Sequence, residues 1–174
     1  SAMRDASNGH DILKNIENET GLRTWIIKGK IEAALITDLF AGLGEKKKQK
    51  MMIDLGGGST EVTFANPDNK RKSKSFRIGA VHSLMHEASR VELKKMLDFI
   101  ENNIDPFGHL IIASGGNINA LKSHFGLAEP MYLSFHELQK AYDQLYPLSV
   151  NERVERFLIH PDRADVIVPA AEVF

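Results

Sequence analysis

Apolar residues follow two spacings along this chain, and their alternation predicts an α/β protein. A spacing of three to four residues, which places apolar side chains on one face of a helix, fills most segments between glycines. Short apolar runs typical of buried strands interrupt it. Helices are predicted at Asp11–Thr20, Gly29–Gly42, Gly79–Asn102, from Asn117 onward, from Ser134 to about Leu145 and from Ser149 to about Leu158. Strands are predicted at Thr24–Ile27, Met51–Leu55, Glu61–Phe64 and Leu110–Ala113, with Ser75–Ile78 completing a hairpin.

The stretch Met51–Phe64 joins two predicted strands through three consecutive glycines. Gly56, Gly57 and Gly58 permit backbone angles that other residues avoid, so their N–H groups can converge on one point. Convergent N–H groups bind anions. A tight hairpin turn, the structural alternative, needs two residues and one glycine. The extra glycines therefore favour an anion-binding turn.

Polar side chains surround this glycine turn. Ser59 and Thr60 add two hydroxyl donors directly after it. Asp54 offers a carboxylate suited to a hydrated Mg²⁺, and Glu61 stands where a water could be oriented. Neither common nucleotide signature fits, because no lysine follows the glycines and Glu61 occupies the third glycine position of GxGxxG. The pattern predicts phosphate chemistry of another kind.

A second glycine signal follows about 60 residues later. The apolar run Leu110–Ala113 leads into Ser114, Gly115 and Gly116, and Asn117 opens a predicted helix. A helix that begins directly after a strand presents free N–H groups and a partial positive charge, which together form an anion site. About half of such turns have a structural role alone. The presence of the first glycine turn in the same chain therefore strengthens the prediction that this second turn binds phosphate.

Composition limits the function classes. The 174 residues are 43% hydrophobic and 26% charged, with a net charge of −1 and no cysteine, which excludes disulfides and thiolate metal sites. A chain of this length favours one domain. No apolar run reaches the ~20 residues that span a bilayer, so we expect no membrane partner and a cytoplasmic location. The net charge gives no case for a nucleic-acid partner. The basic segments Lys46–Lys48 and Lys70–Lys74 are interpreted as solvated loops, with polyanion binding as the alternative.

The residues Asp54–Glu61 resemble, position for position, the DxGGGSTE loop of the exopolyphosphatase and guanosine pentaphosphate phosphatase (Ppx/GppA) family, within the actin-like ATPase superfamily. The second turn resembles the G-T/S-G-G-T-I-x-A-L segment of that family, with Asn117 in place of the usual threonine. His160–Ala171 resembles its H/R-P-x-R-A-D-V-I-x-P-G/A segment, in which we expect Asp162, Arg163 and Asp165 to cap and fix the last helix. The resemblance implies an α/β, ribonuclease-H-like fold of the actin type, a mixed sheet flanked by helices.

The same resemblance implies catalytic residues. Family members carry a G-x-E-E-A-R-L-I-like segment whose second glutamate falls on Glu32 in this chain, where Ile31 and Ala34 depart from the usual glutamate and arginine. Arginine is also common where this chain has His82. By this resemblance, Glu32 and Glu61 act on the attacking water and Asp54 holds Mg²⁺ or another divalent cation. The glycine turns then hold the phosphoryl group of polyphosphate or guanosine pentaphosphate.

The resemblance also implies a division of the chain. Residues 1–28 match the end of the family's first domain, and 29–174 match its second domain, so we expect roughly the second half of a family member. A homodimer through the face left by the missing domain is a further expectation. Two other interpretations remain open: a non-catalytic sensor of polyphosphate or guanosine polyphosphates, and an actin-like kinase, which fits least because it needs the absent domain for ATP.

Overall fold

The structure, a computed structural model, describes residues 3, 6–29, 31–32, 34–35, 49–68, 70–81, 87–104, 109–126 and 133–174. The strands with described bounds are β1 (Gln49–Leu55), β2 (Thr60–Ala65), β3 (Arg71–Phe76) and β4 (His109–Ser114). The helices with described bounds are α1 (Gly9–Thr20), α2 (Glu87–Glu101), α3 (Gly116–Phe125), α4 (Phe135–Leu145), α5 (Val150–Phe157), α6 (Pro161–Ala164) and α7 (Ile167–Val173).

The four strands form one mixed sheet in the order β3-β2-β1-β4. β1 pairs antiparallel with β2, and β2 pairs antiparallel with β3, whereas β1 and β4 run parallel. The carboxyl ends of β1 and β4 therefore lie at the same edge of the sheet. Both predicted glycine turns leave the sheet from that edge.

One face of the sheet is apolar because alternate residues of each strand point to the same side. The buried strand residues of this face are Met51, Ile53, Leu55, Val62, Phe64 and Phe76. Met96 of α2 and Ala170 and Val173 of α7 pack against them. The predicted mixed sheet with helices on it is confirmed.

A second apolar cluster joins the C-terminal helices to α3. Its buried members are Ile118, Leu121, Ala141, Leu145, Ile159, Ala164, Ile167, Val168 and Ala171. Capping boxes begin α4 and α5, in which Ser134 pairs with Glu137 and Ser149 with Glu152, so these two predicted helix starts are confirmed. α1 ends at Gly21 in the left-handed conformation, also as predicted.

The predicted strand at Thr24–Ile27 is wrong. Residues 21–28 form no strand or helix, and the side chain of Trp25 is 76% exposed. A strand requires a hydrogen-bonding neighbour, and no described strand lies beside this segment. The segment packs on α1 instead, where the Ile26 side chain lies only 3.1 Å from where a Cβ at Gly9 would be.

The prediction that the basic segment Lys70–Lys74 is a loop is also wrong. Residues from Arg71 onward form β3, whose pairing with β2 extends from Ala65↔Arg71 to Thr60↔Phe76. Of the turn predicted at Asn66–Asn69, residues 66–68 are described; Pro67 and Asp68 form a turn, and the Asn66 amide donates to the Lys70 carbonyl over 3.0 Å. Backbone pairing thus outweighs the low strand propensity of lysine.

Three other predictions change or fall outside the described residues. The helix expected over Gly79–Asn102 has its described start at Glu87, and residues 80 and 81 form a turn. The helix expected over Gly29–Gly42 is described only in part, at 29, 31–32 and 34–35, all helical. His82 and Lys46–Lys48 lie outside the described residues. Within the described part of the chain, no helix has the length and apolarity that a bilayer-spanning segment needs.

Candidate active site

A row of four polar residues crosses the sheet near the ends of β1 and β4. The register aligns Ser75 with Glu61, Glu61 with Asp54, and Asp54 with Ser114. Residues directly opposite on neighbouring strands share a face, so all four side chains lie on the side of the sheet opposite the apolar cluster. The structure thus brings together three residues predicted to act on substrate or metal.

Each carboxylate of the row accepts one hydrogen bond from a serine on the neighbouring outer strand. Ser75 Oγ donates to Glu61 Oε1 over 2.7 Å, and Ser114 Oγ donates to Asp54 Oδ1 over 2.6 Å. Glu61 is only 3% exposed, while Asp54 is half-buried. Two carboxylates directly opposite each other repel, and the two short hydrogen bonds offset part of that repulsion. Sequence reasoning missed Ser75, although the hairpin length could have indicated its pairing with Glu61.

The first glycine turn is fixed by close packing against the segment that follows β3. Ala80 N donates to Gly56 O over 3.0 Å, and Val81 N donates to Gly57 O over 2.9 Å. A Cβ at Gly79 would stand 2.5 Å from the Gly57 carbonyl oxygen. The expectation that Gly56, Gly57 and Gly58 adopt backbone angles closed to other residues is wrong, since none of the three has positive φ. Close approach of two backbones requires glycine at position 79, while a Cβ at Gly56 or Gly57 would meet tight contacts of 3.2 and 3.3 Å.

Two amides of this first turn are available for an anion. Gly56 N donates within the turn, to Ser59 O over 2.9 Å. The amides of Gly57 and Gly58 donate to no acceptor among the described residues. Thr60 is fully buried and its hydroxyl donates to Ile78 O over 2.7 Å, which fixes the end of the turn. The backbone supplies the free donors, and the Thr60 hydroxyl is committed to the fold.

The second glycine turn lies beside the first. Gly115 has φ +115° and ψ 159°, a region open only to glycine, and a Cβ there would stand 2.7 Å from Leu55 O. This turn starts α3 at Gly116, one residue before the predicted start, and no side chain caps the helix. No side-chain cap therefore satisfies the first N–H groups of α3, and the partial positive charge at this end of the helix favours an anion.

Arg163 adds a cation to this second turn. Its Nη1 donates to Asn117 Oδ1 over 3.2 Å, and its guanidinium packs so closely on Gly116 that no Cβ would fit there. The prediction that Asp162, Arg163 and Asp165 cap the last helix is wrong, because α7 begins at Ile167, its N-cap residue is Val166, and no side chain caps it. The motif was visible in the sequence, but the approach of Arg163 to Asn117 requires the packing of α6 and α3.

Glu32 lies near the start of a helical segment. The amides of Ile31 and Glu32 both donate to Lys28 O, over 2.8 and 3.1 Å, so the helix begins just after Lys28. Ile31 and Ala34, the two departures from the family pattern, are both exposed. The approach of the Glu32 carboxylate to Asp54 and Glu61 stays a prediction.

Asp54 fits the way in which Mg²⁺ binds to proteins. No cluster of three or more metal-binding side chains occurs among the described residues. Mg²⁺ usually keeps several waters and takes one or two carboxylates plus phosphate oxygens from its substrate, so one carboxylate between two anion sites is a suitable donor set. Only one oxygen of Asp54 accepts the bond from Ser114. The other remains available within the described structure.

The fold places the chain among α/β proteins of the actin-like type, with two glycine turns side by side at one edge of the sheet. The sequence model of the Ppx/GppA phosphatase family matches residues 1–174, and the chain belongs to this family. The crystal structure of an exopolyphosphatase from Cytophaga hutchinsonii shares the fold, with a TM-score of 0.76 and 25% identity over 98% of this chain. This result confirms the family indicated by the two glycine motifs.

Two curated relatives extend the comparison. A bifunctional 3-dehydroquinate synthase/phosphatase from Fusobacterium nucleatum is 23% identical over 97% of this chain. Exopolyphosphatase 1 from Mycobacterium tuberculosis is 31% identical over 46% of this chain. The chain covers 29% and 24% of these two proteins, and 62% of the Cytophaga structure. It therefore represents part of the length of each relative.

Proposed function

We propose that this chain is the second-domain part of a hydrolase that cleaves the terminal phosphoric anhydride bond of inorganic polyphosphate, or the 5′-phosphate of guanosine pentaphosphate. One observation carries the proposal: parallel pairing of β1 with β4 sets both glycine turns side by side, with Asp54 and Glu61 in one row beneath them. Family membership and the exopolyphosphatases among its relatives support the choice of substrate.

The chemistry follows from the groups at this edge of the sheet. The amides of Gly57, Gly58 and the first turn of α3 would bind the negative charge that spreads over the phosphoryl oxygens, and Ser59, Ser114 and Asn117 would border the same anion. Gly56, Thr60, Gly115 and Gly116 would shape the two turns. Preorganised donors of this kind stabilise a transition state because they need no reorientation during the reaction.

Carboxylates would act on the attacking water. Glu32, helped by Glu61, would orient the water and accept its proton, and Ser75 would hold the Glu61 carboxylate in place. Asp54 would hold Mg²⁺ or another divalent cation, which when bound neutralises charge on the phosphate oxygens. Arg163, already seated on the second turn, would add positive charge near the same anion.

The family's domain organisation extends the proposal. Residues 1–28 would belong to the first domain of the family and 29–174 to the second, with the substrate bound in the cleft between the two. A homodimer and a cytoplasmic location stay predictions.

Phosphate release tests this function. We would measure release from long-chain polyphosphate and from guanosine pentaphosphate with Mg²⁺ present, for this chain and for a version extended by the family's first domain. In the extended version, Glu32→Gln should lower turnover about 10²–10⁴-fold with little change in binding, because a general base contributes that much. Glu101→Gln, an exposed change at the end of α2, is the control. Normal turnover in the Glu32 variant would refute its assignment.

A sensor without activity is the second candidate. The exposed Ile31 and Ala34, which replace a glutamate and an arginine of the family pattern, favour it. Tight binding of either ligand without phosphate release by any form would support the sensor and contradict the hydrolase.

A further inference from the structure

A basic surface lies between β3 and α2, away from the glycine turns. Two open cavities of about 320 and 330 Å³ adjoin there and share Lys72, Asn102 and Asn103 in their walls. We call this surface the basic trough. Its cations are Lys70, Arg71, Lys72, Lys74 and Lys95.

The charge of the trough is strongly one-sided. Asp98 is the single acidic residue in its described walls, and Lys95 is the one trough lysine with a described ion pair, to Glu92 over 2.6 Å. Lys72 and Lys74 form no ion pair within the described part of the chain. The pKa of the Glu92 carboxyl is lowered chiefly by its hydrogen bonds with Lys95 and the Arg77 amide, and the charge of Lys74 lowers it further. Lys74 is thus partly balanced by Glu92, while the charge of Lys72 is available to an anion from solution.

The two lysines are held in place over an aromatic ring. Lys72 Nζ lies 5.8 Å from the ring centroid of Phe99, and Lys74 Nζ lies 5.7 Å from it. Lys72 Nζ also donates to Asn103 Oδ1 over 2.6 Å. A ligand that meets ordered lysines loses less side-chain entropy on binding than one that must order them.

Protection of the sheet edge is the simpler explanation for a lysine-rich strand, because charged side chains prevent pairing with another strand. Protection of the edge of β3 requires only that the charged lysine side chains extend into solvent. It does not account for two lysines turned onto Phe99, one of which also bonds Asn103. The side-chain amides of Asn102 and Asn103 already donate to backbone carbonyls of α2, so the lysines are the groups that would bind an anion in the trough.

We propose that the basic trough binds the distal part of a linear polyphosphate chain whose terminal phosphoryl group occupies the two glycine turns; this inference rests on the proposed function. Lys72 and Lys74 lie opposite Phe64 and Val62, on the apolar face of the sheet, whereas the carboxylate row and Ser75 lie on the other face. A polymer that reaches both sites must therefore pass around β3, the edge strand of the described sheet. From Arg71 to Ser75 this strand extends roughly 14 Å at ~3.4 Å per residue, so a long chain can contact more of the trough than a short one. The trough thus makes affinity depend on chain length.

The test compares binding of long-chain polyphosphate and tripolyphosphate to this chain by titration calorimetry. Lys72→Gln combined with Lys74→Gln should weaken binding of the long polymer about tenfold, and raised salt should shrink that difference because it screens exposed charges. Tripolyphosphate binding should not change. Lys14→Gln combined with Lys140→Gln removes the same charge from exposed positions elsewhere and should leave both affinities unchanged. Lys72→Arg with Lys74→Arg should restore long-chain binding.

Three results would overturn the proposal: equal weakening of both ligands, equal weakening by the control variant, or stronger dependence of DNA binding than of polyphosphate binding on the two lysines. Failure of the hydrolase proposal looks different. Phosphate release would then be absent from every form, while the length-dependent binding through Lys72 and Lys74 would persist.

Discussion

At the scale of single residues, the row from Ser75 to Ser114 explains how two carboxylates are held next to each other. Each carboxylate accepts a hydrogen bond from a serine hydroxyl on the adjacent outer strand. The orientations of Glu61 and Asp54 are therefore fixed from both sides of the pair. A carboxylate with a fixed orientation positions water better than one that rotates freely. The row therefore serves geometry as much as charge.

Removal of the hydrogen bond from Ser75 to Glu61 should lower turnover and leave substrate binding unchanged. In the version extended by the family's first domain, Ser75→Ala should lower kcat roughly 10- to 150-fold and leave KM unchanged, since a hydrogen bond to a charged group contributes about 1.5–3 kcal/mol. Ser75→Thr should restore much of kcat. Ser73→Ala is the matched control, because Ser73 lies two residues earlier on the same face of β3 and accepts from Thr63 over 3.0 Å. Equal losses in both alanine variants would contradict the role of Ser75.

Residue identity was largely predictable from the sequence, but residue contacts were not. Asp54, Glu61 and the two glycine turns follow from local motifs, because each motif is a strand end with a distinctive turn. The contact of Ser75 with Glu61 depends on the hairpin register, and the contact of Arg163 with Asn117 joins residues 46 positions apart. Such contacts come from packing, which a single sequence does not display.

At the scale of elements, the site depends on how closely the segment after β3 approaches the first glycine turn. Gly79→Ala would place a Cβ 2.5 Å from Gly57 O, so the turn must move. We expect a loss of about 1–3 kcal/mol in the free energy of unfolding, typical of overpacking, and weaker tripolyphosphate binding. Urea denaturation and calorimetry would measure the two effects.

Gly21→Ala is the control for this change. Gly21 has φ +73° and nothing within 4 Å of its potential Cβ, so alanine there costs stability through backbone strain alone, about 1–2 kcal/mol. Its tripolyphosphate affinity should stay normal. If both variants bind tripolyphosphate equally well, the first turn does not hold the anion.

Arg153 fixes the helix that carries Arg163 to the site. It is buried, and it donates from Nε to Leu145 O over 3.1 Å and from Nη1 to Ala164 O over 2.8 Å, which joins α4, α5 and α6. Burial lowers the pKa of its guanidinium below the usual value. Arg153→Met should reduce the free energy of unfolding by about 2–4 kcal/mol, because two buried carbonyls lose charged donors.

Arg156→Met tests whether this effect belongs to the buried position. Arg156 lies on the same helix, and its ion pair with Glu152 over 3.2 Å is exposed, so its loss should cost under about 1 kcal/mol. Thermal or urea unfolding would compare the two variants. Similar losses would mean that the buried hydrogen bonds of Arg153 do not hold α6.

Two elements show where pattern reasoning fails. Thr24–Ile27 has the composition of a strand but no described partner strand, whereas the lysine-rich β3 has poor strand composition but a partner in β2. Strand formation depends on neighbours more than on intrinsic preference. Helix starts were predicted better, since capping boxes are local and both Ser134 and Ser149 form them.

At the scale of the whole molecule, the parallel pair β1 and β4 sets the site. Ligands of α/β sheets bind beyond the carboxyl ends of parallel strands, and here both glycine turns leave the sheet at that edge. The chain covers 62% of the Cytophaga exopolyphosphatase structure. In our account this edge supplies half of a substrate cleft, and the family's first domain supplies the other half.

The most direct test of this account is an NMR titration of the chain with tripolyphosphate in the presence of Mg²⁺. We predict that the amide signals of Gly57, Gly58 and Gly116 shift together with one common dissociation constant, because one anion contacts both turns. The Gly21 amide, at the end of α1, should not move. Separate constants for the two turns, a response from one turn alone, or no response from either would contradict a shared phosphoryl site.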